Sequence, residues 1–349
     1  MKAVLVATDF SPSQTFAVLE RVLKARGVTV ISFLGMGKLK EVTPDEVCEA
    51  LSGASVLLCG MSSSEVLAGP ELCFAKAANS AGIRYGFYGD AHNCFARPWF
   101  ADLAKGAAFY FGYLATDVSA ATKEVFASAK GFHTGNMLRE RSAFSSRTRA
   151  DIRKQLGYND SDFLIMAAGM KFSMGNAFLW SSIMQALASS RFKNTHLLLS
   201  PHPGDPALQN SSLYDELIAH AGDVSVRMII KEEMPSDDAI VGVDVLIDPG
   251  TSIAFSAAYQ RIPVLALGGH VVDQENIRIM GSSHPEAVLT GIAKRFTSPH
   301  SLRRELVRLK YDQAYRSGEV AVLEKRLPLP ESTDPDAVPR KMADALLEI

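Results

Sequence analysis

The stretch Val243–Gly269, VDVLIDPGTSIAFSAAYQRIPVLALGG, decides the fold. Its opening, VDVLID, is a short apolar run with the length of a buried strand. Asp248-Pro249-Gly250 breaks that run, and IAFSAAYQR then carries apolar residues at helical spacing. Pro263 ends the helix, and VLAL reads as a second buried strand. Strand, turn, helix and strand form the repeating unit of a parallel α/β sheet. Gly250 lets backbone approach a ligand closely, and Thr251 or Ser252 can cap the helix that follows. A helix N-terminus offers N–H groups and partial positive charge, which suit a phosphate.

The same alternation runs outward in both directions. KAVLVAT, VTVISFL, SVLLCGM, RYGFYGD and AAFYFGY are strands of a first half, and DFLIMAAG, THLLLS and VSVRMII are strands of a second. Most are continuously apolar, the mark of a parallel sheet covered on both faces. Helices fall between them; Thr43-Pro44 and Ser298-Pro299 are caps with proline at the first helical position. Helices are expected through His284–Phe296 and Ser298–Arg316. LYDELIAHAG is a further helix, and the polar, basic stretch Arg139–Tyr158 is a linker followed by a helix. After the Pro-rich RLPLPESTDPDAVP comes a final amphipathic helix, Arg340–Leu347.

At 349 residues, 47% hydrophobic and 21% charged, the chain suits two globular domains. A formal net charge of −2 gives no bulk attraction to nucleic acid. No apolar run approaches the ~20 residues that span a bilayer, and MKAVLVATDF lacks a signal-peptide pattern. A cytoplasmic protein is expected, with a homo-oligomer and a peripheral membrane contact both left open. None of the four cysteines has CxxC spacing, and Cys59 lies in an apolar run as a buried thiol. The pairs Asp160/Asp162 and Asp334/Asp336 do not follow strands, and Asp237-Asp238 point apart, so no metal site is expected.

Four passages resemble the GT-B fold of nucleotide-sugar glycosyltransferases and UDP-N-acetylglucosamine 2-epimerases. HTGNM (His133–Met137) resembles the segment closing the first domain of that fold. Arg149–Gly169 resembles the helix and first strand of its second domain, and Leu197–Pro206 resembles a strand ending in a His-Pro pair. The stretch quoted first resembles its donor-phosphate segment, and GIRYGFYGDAHNCFARPWF is similar to a segment of some polysaccharide-related members. The resemblance implies two Rossmann-like parallel-sheet domains, 1–140 and 141–333, facing across a cleft. A C-terminal helix within 334–349 would cross back to the first. It implies a glycosyltransferase acting on a nucleotide sugar and an unidentified hydroxyl acceptor in glycan or glycolipid assembly, with neither metal nor other cofactor. An epimerase or hydrolase, or a non-catalytic nucleotide- or sugar-binding member, stays open. The helix Ile253–Ala258 carries none of the glutamates that epimerases place there, which counts against proton removal and return.

In a parallel sheet, ligands bind beyond the carboxyl ends of the strands. On the donor side this selects Lys171, His202, Gly250, Thr251 and Ser252, with Glu275 from the next loop in place of the missing ribose-binding glutamate. Lys171 and Glu275 read equally as solvated loop charges. On the acceptor side it selects Ser13, Gln14, Ser63 and Arg97, where Arg97 either grips an acidic group or packs beside Trp99. Candidate bases are Asp90, His92 and Asp9, since a histidine beside a carboxylate works near neutral pH.

Overall fold

The computed structural model describes residues 1–170, 173–202, 205, 224–229, 233–280 and 282–349. Two compact units emerge, Met1–Arg141 with Ser332–Ile349, and Ser142–Glu331.

The first unit is built on β1 (Lys2–Ala7), β2 (Thr29–Leu34), β3 (Val56–Gly60), β4 (Arg84–Gly89), β5 (Phe109–Gly112) and β6 (Lys130–His133). They form one sheet in the order β2-β1-β3-β4-β5-β6, every pairing parallel. Alternate side chains feed two cores, because successive residues of a strand point to opposite faces. Val4, Leu57, Phe87 and Tyr110 join the core beneath helix Gly69–Ser80. Leu5, Leu58, Tyr88 and Phe109 join the core beneath helix Phe10–Ala25. Both faces are covered, which is why these strands are continuously apolar. The last helix, Ala337–Glu348, lies against Phe10–Ala25 and sends Val338, Met342 and Leu346 into the second of these cores.

The second unit repeats the plan with β7 (Phe163–Ala168), β8 (Thr195–Ser200), β9 (Ser225–Met228), β10 (Val245–Asp248), β11 (Val264–Leu267) and β12 (Ala293–Phe296). Their order is β12-β11-β10-β7-β8-β9, again all parallel. Ile165, Leu197, Ile247 and Leu265 pack with Trp180 and Ile183 of helix Ser173–Leu187 and with Leu302 and Leu306 of helix Pro299–Tyr311. At the opposite end of the sheet from the ligand edge, Asp244 gathers three arginines. It accepts from Arg149 at 2.7 Å, Arg153 at 2.7 Å and Arg316 at 3.1 Å, and from the Leu164 amide at 2.9 Å. Arg153 is itself buried and also donates to the carbonyls of Gly242, Asn159, Asp160 and Asp162.

Thr43 forms a full capping box with Glu46, and the Ser298 hydroxyl accepts from the Ser301 amide, as expected. Three local expectations are corrected. His284–Phe296 is not one helix: Glu286–Leu289 is a short helical turn and Ala293–Phe296 is the edge strand β12. Ser298–Arg316 is not one helix either: Pro299–Tyr311 ends at Asp312, and Gln313–Arg326 is a second helix. Neither Thr251 nor Ser252 caps helix Ile253–Tyr259, because Ser252 already has helical backbone angles and the Thr251 hydroxyl is turned to Asp248. LYDELIAHAG and Lys231-Glu232 lie outside the described residues.

Both strand orders reverse direction once, between β1 and β3 in the first sheet and between β7 and β10 in the second. Loops leaving a sheet on opposite sides of such a reversal open a crevice at its carboxyl edge.

Candidate functional site

In the second unit that crevice is a cavity of about 180 Å³. Ala168 and Gly169 line it beyond β7, Ser200 and His202 beyond β8, and Thr251, Ser252 and Ile253 beyond β10, with Ser236 and Asp237 closing one side. Gly169 permits the close approach of two loops: a Cβ there would stand 3.1 Å from the Pro201 Cα and the His202 amide nitrogen. Asn176 donates to Asp205 at 2.6 Å and to the Met170 carbonyl at 2.7 Å, and the Asp205 amide donates to the His202 carbonyl at 2.8 Å. Ser200, Ser236, Thr251 and Ser252 bring hydroxyls to the lining. Ser200 and Ser236 Oγ atoms are 2.7 Å apart, and Ser256 donates to Asp237 at 2.8 Å.

The turn after β10 differs from expectation in what its amides face. Asp248 is fully buried and accepts from the amides of Gly250 at 2.8 Å and Thr251 at 3.0 Å, and from the Thr251 hydroxyl. Burial pushes its carboxyl up to about 6, while the bonds from Thr251 and Gly250 pull it down. The first two amides of the turn are therefore engaged by an internal carboxylate. Those of Ser252 and Ile253 make no hydrogen bond among the described residues, and both residues line the cavity.

Gly250 sits at φ +126°, and a Cβ there would stand 2.9 Å from Pro285 Cβ. Gly250→Val is therefore expected to lower stability by about 1–3 kcal/mol from backbone strain alone, besides distorting the turn. A denaturant titration checks this, and a loss below about 0.5 kcal/mol would show that the turn relaxes freely.

Glu275 lies on helix His270–Met280, not in a loop, and pairs with Arg278 at 2.5 Å. The Arg278 hydrogen bond holds its carboxyl low. Its neighbour Asn276 is the residue that reaches the turn, donating to the Pro249 carbonyl at 3.3 Å. Lys171 lies outside the described residues.

The first unit places its candidates along one edge, in different roles. Asp9 does not cap its helix. Its amide donates to the Ser62 hydroxyl at 3.2 Å and its carboxylate accepts from the Ser63 amide at 2.7 Å, so it ties the loops after β1 and β3 together. Ser13 is fully buried, donates to the Ala7 carbonyl at 2.9 Å and accepts from the Met36 amide at 3.3 Å. It braces the loop after β2 and cannot touch an acceptor. Gln14 contacts Met36 Sδ at 3.5 Å in the same brace. Arg97 is turned inward to the Met61 carbonyl, with its charge near Asp90, Asp9 and Glu71.

Asp90 is half-buried beside Ser11 and Arg97, and the Asn136 amide group donates to its carbonyl at 2.6 Å. Burial raises its carboxyl, against the pull of Arg97 and the Ser11 hydroxyl.

His92 pairs with Asp117, not with Asp90. Its Nδ1 lies 2.7 Å from Asp117 Oδ1, and the Asp117 side chain is buried while the imidazole stays partly open. Asp117 sits on helix Ala115–Glu124, just beyond β5. A buried carboxylate at Nδ1 fixes that nitrogen as the proton donor and leaves Nε2 as the basic one. Among the described residues, no group of three or more His, Cys, Asp or Glu is placed to hold a metal, and no helix is long and apolar enough to cross a membrane.

No protein-family model matches the sequence, and no curated protein does. Solved structures do match. The UDP-GlcNAc 2-epimerase of Methanocaldococcus jannaschii, in complex with UDP-GlcNAc and UDP, aligns at a TM-score of 0.59 and 11% identity, covering 100% of both chains. A glycosyltransferase from Rickettsia africae aligns at 0.59 and 11% identity, covering 99% of this chain and 98% of its own. The wall teichoic acid polymerase TagF aligns at 0.54 and 13% identity, covering 99% and 88%. At these identities the likeness is one of fold. The chain has the two-unit α/β fold shared by UDP-GlcNAc 2-epimerases and GT-B glycosyltransferases.

Proposed function

We propose that the protein is a glycosyltransferase that moves a sugar from a nucleotide-sugar donor to a hydroxyl acceptor, in the cytoplasm, during glycan or glycolipid assembly. The observation that carries this reading is the His92–Asp117 pair at the carboxyl edge of the first sheet. Transfer to a hydroxyl requires a base that removes its proton as the new bond forms. His92 Nε2 takes that proton, and Asp117 stabilises the imidazolium that results. The donor's nucleotide lies in the crevice of the second unit. There His202, the hydroxyls of Ser200 and Ser252 and the amides of Ser252 and Ile253 meet it. Those amides face the charge that develops on the leaving diphosphate, which preorganised N–H groups stabilise. The reaction runs without a metal.

Epimerisation is the second reading, favoured by the fold shared with UDP-GlcNAc 2-epimerases. It requires groups that remove and return a carbon-bound proton. The seven residues of helix Ile253–Tyr259 hold no acid, so Asp9 and Asp90 of the first unit would have to serve.

Incubation with a panel of nucleotide sugars and hydroxyl acceptors, with EDTA present, tests the proposal. Nucleotide release that depends on an acceptor is the expected result. An isomerised sugar, acceptor-independent hydrolysis, or thermal stabilisation by nucleotide without turnover would each replace it.

A further inference from the structure

Glu71 is a buried acid that the chemistry above leaves unused. It lies in the first turn of helix Gly69–Ser80 with no exposed surface. Its Oε1 accepts from the Thr8 amide at 3.0 Å and from the Ser62 hydroxyl at 2.7 Å. Thr8 follows β1 and Ser62 follows β3, the two strands that flank the reversal of order in the first sheet. One carboxyl is thus bonded to the loops on both sides of that reversal, where a crevice at the carboxyl edge would open. Ser62 extends the contact by accepting from the Asp9 amide, and the Asp9 carboxylate holds the Ser63 amide. Gly60 makes room for it, since a Cβ there would stand 3.0 Å from Oε1. The second oxygen, Oε2, is buried and meets no hydrogen-bond donor or acceptor.

We propose that Glu71 is a proton-operated latch for this crevice: neutral, it seals the loops after β1 and β3 together, and ionised, it drives them apart. A charged carboxylate with one oxygen buried and unpartnered carries a large desolvation penalty. Opening the loops relieves that penalty by admitting water to Oε2. The charged and titratable groups facing Glu71 are Asp9 beyond β1, Cys59 of β3 and Arg97 from the loop after β4. Asp9 opposes a second negative charge, Arg97 favours it, and burial holds the Cys59 thiol neutral by raising it. Burial is also the largest influence on Glu71 and pushes it up to about 7, against the bonds from Ser62 and Thr8. The latch therefore operates near neutral pH, whatever the crevice binds.

Stability carries the same sign. An acid whose folded value is raised contributes stability below its unfolded value, near 4.5, that is lost as pH rises through about 7. Asp248, raised to about 6, adds a loss of the same sign in the second unit, so Glu71 must be followed locally.

The test is an NMR pH titration of the full-length protein from pH 5.5 to 8.5, following the Glu71 carboxyl carbon and the amides of Thr8, Asp9 and Ser63. All four should titrate with one shared midpoint near 7, and exchange of the three amides should quicken above it beyond the intrinsic pH dependence. In Glu71→Gln the amides should stay at their low-pH positions. Amides that do not move with the carboxyl in the wild type, or that move unchanged in Glu71→Gln, would overturn the proposal. The wild-type comparison stands even if the variant does not fold.

Discussion

His92→Gln is expected to lower acceptor-dependent turnover by about 10²–10⁴-fold, the usual contribution of a positioned general base, while leaving UDP affinity unchanged. The separation follows from placement. His92 belongs to the first unit and is paired with Asp117 at 2.7 Å, whereas the cavity assigned to the nucleotide is lined only by residues of the second. Asp117→Asn should move turnover in the same direction. An amide can offer Nδ1 either an N–H or an oxygen, but it brings no charge to stabilise the imidazolium. Steady-state kinetics beside calorimetry with UDP makes the measurement. Equal losses in turnover and UDP affinity would mean that His92 shapes the protein instead of acting on the acceptor.

Asp244→Ala is expected to destabilise the second unit by about 3–5 kcal/mol, the range seen when one partner of a buried ion pair is removed. Arg153 has 1% of its side chain exposed and would keep its charge with only carbonyls as partners. Burial already lowers its guanidinium, and Asp244 is what opposes that. Arg149→Ala is the control. Its side chain is 40% exposed, so its loss should amount to less than about 1 kcal/mol. Denaturant unfolding of both variants gives the comparison, and equal losses would contradict a special role for the buried Arg153–Asp244 pair.

The two sheets were legible because parallel strands buried on both faces leave unbroken apolar runs. KAVLVA, VLLCG and FLIMAA are such runs, with nearly every residue buried in the structure. The strands that escaped are KGFH and AKRF, β6 and β12, each at an edge of its sheet. Edge strands are commonly short and charged, and AKRF therefore reads in sequence as the end of a helix.

The functional edge was legible as polar residues following apolar runs, but its pairings were not. His92 and Asp117 are 25 residues apart, and adjacency in sequence favoured Asp90 instead. Glu71, in ELCFAKAANSAG, looks like any helical surface acid; only packing against Thr8 and Ser62 sets it apart. Ser13 stands after a strand as a ligand-facing hydroxyl would, yet its bonds all go to backbone. The Asp248 turn was the one pairing within reach of sequence. An aspartate followed by Pro-Gly-Thr commonly bonds the amides two and three residues on, as Asp248 does with Gly250 and Thr251.

The central claim is that the nucleotide of the donor is held at the carboxyl edge of the second sheet, where its strand order reverses. Hydrogen exchange across the whole chain, with and without saturating UDP, tests it most directly. Protection should concentrate in the loops beyond β7, β8 and β10, at residues 169–170, 200–202 and 249–255. Saturation without protection there, or protection confined to the first unit, would contradict the claim.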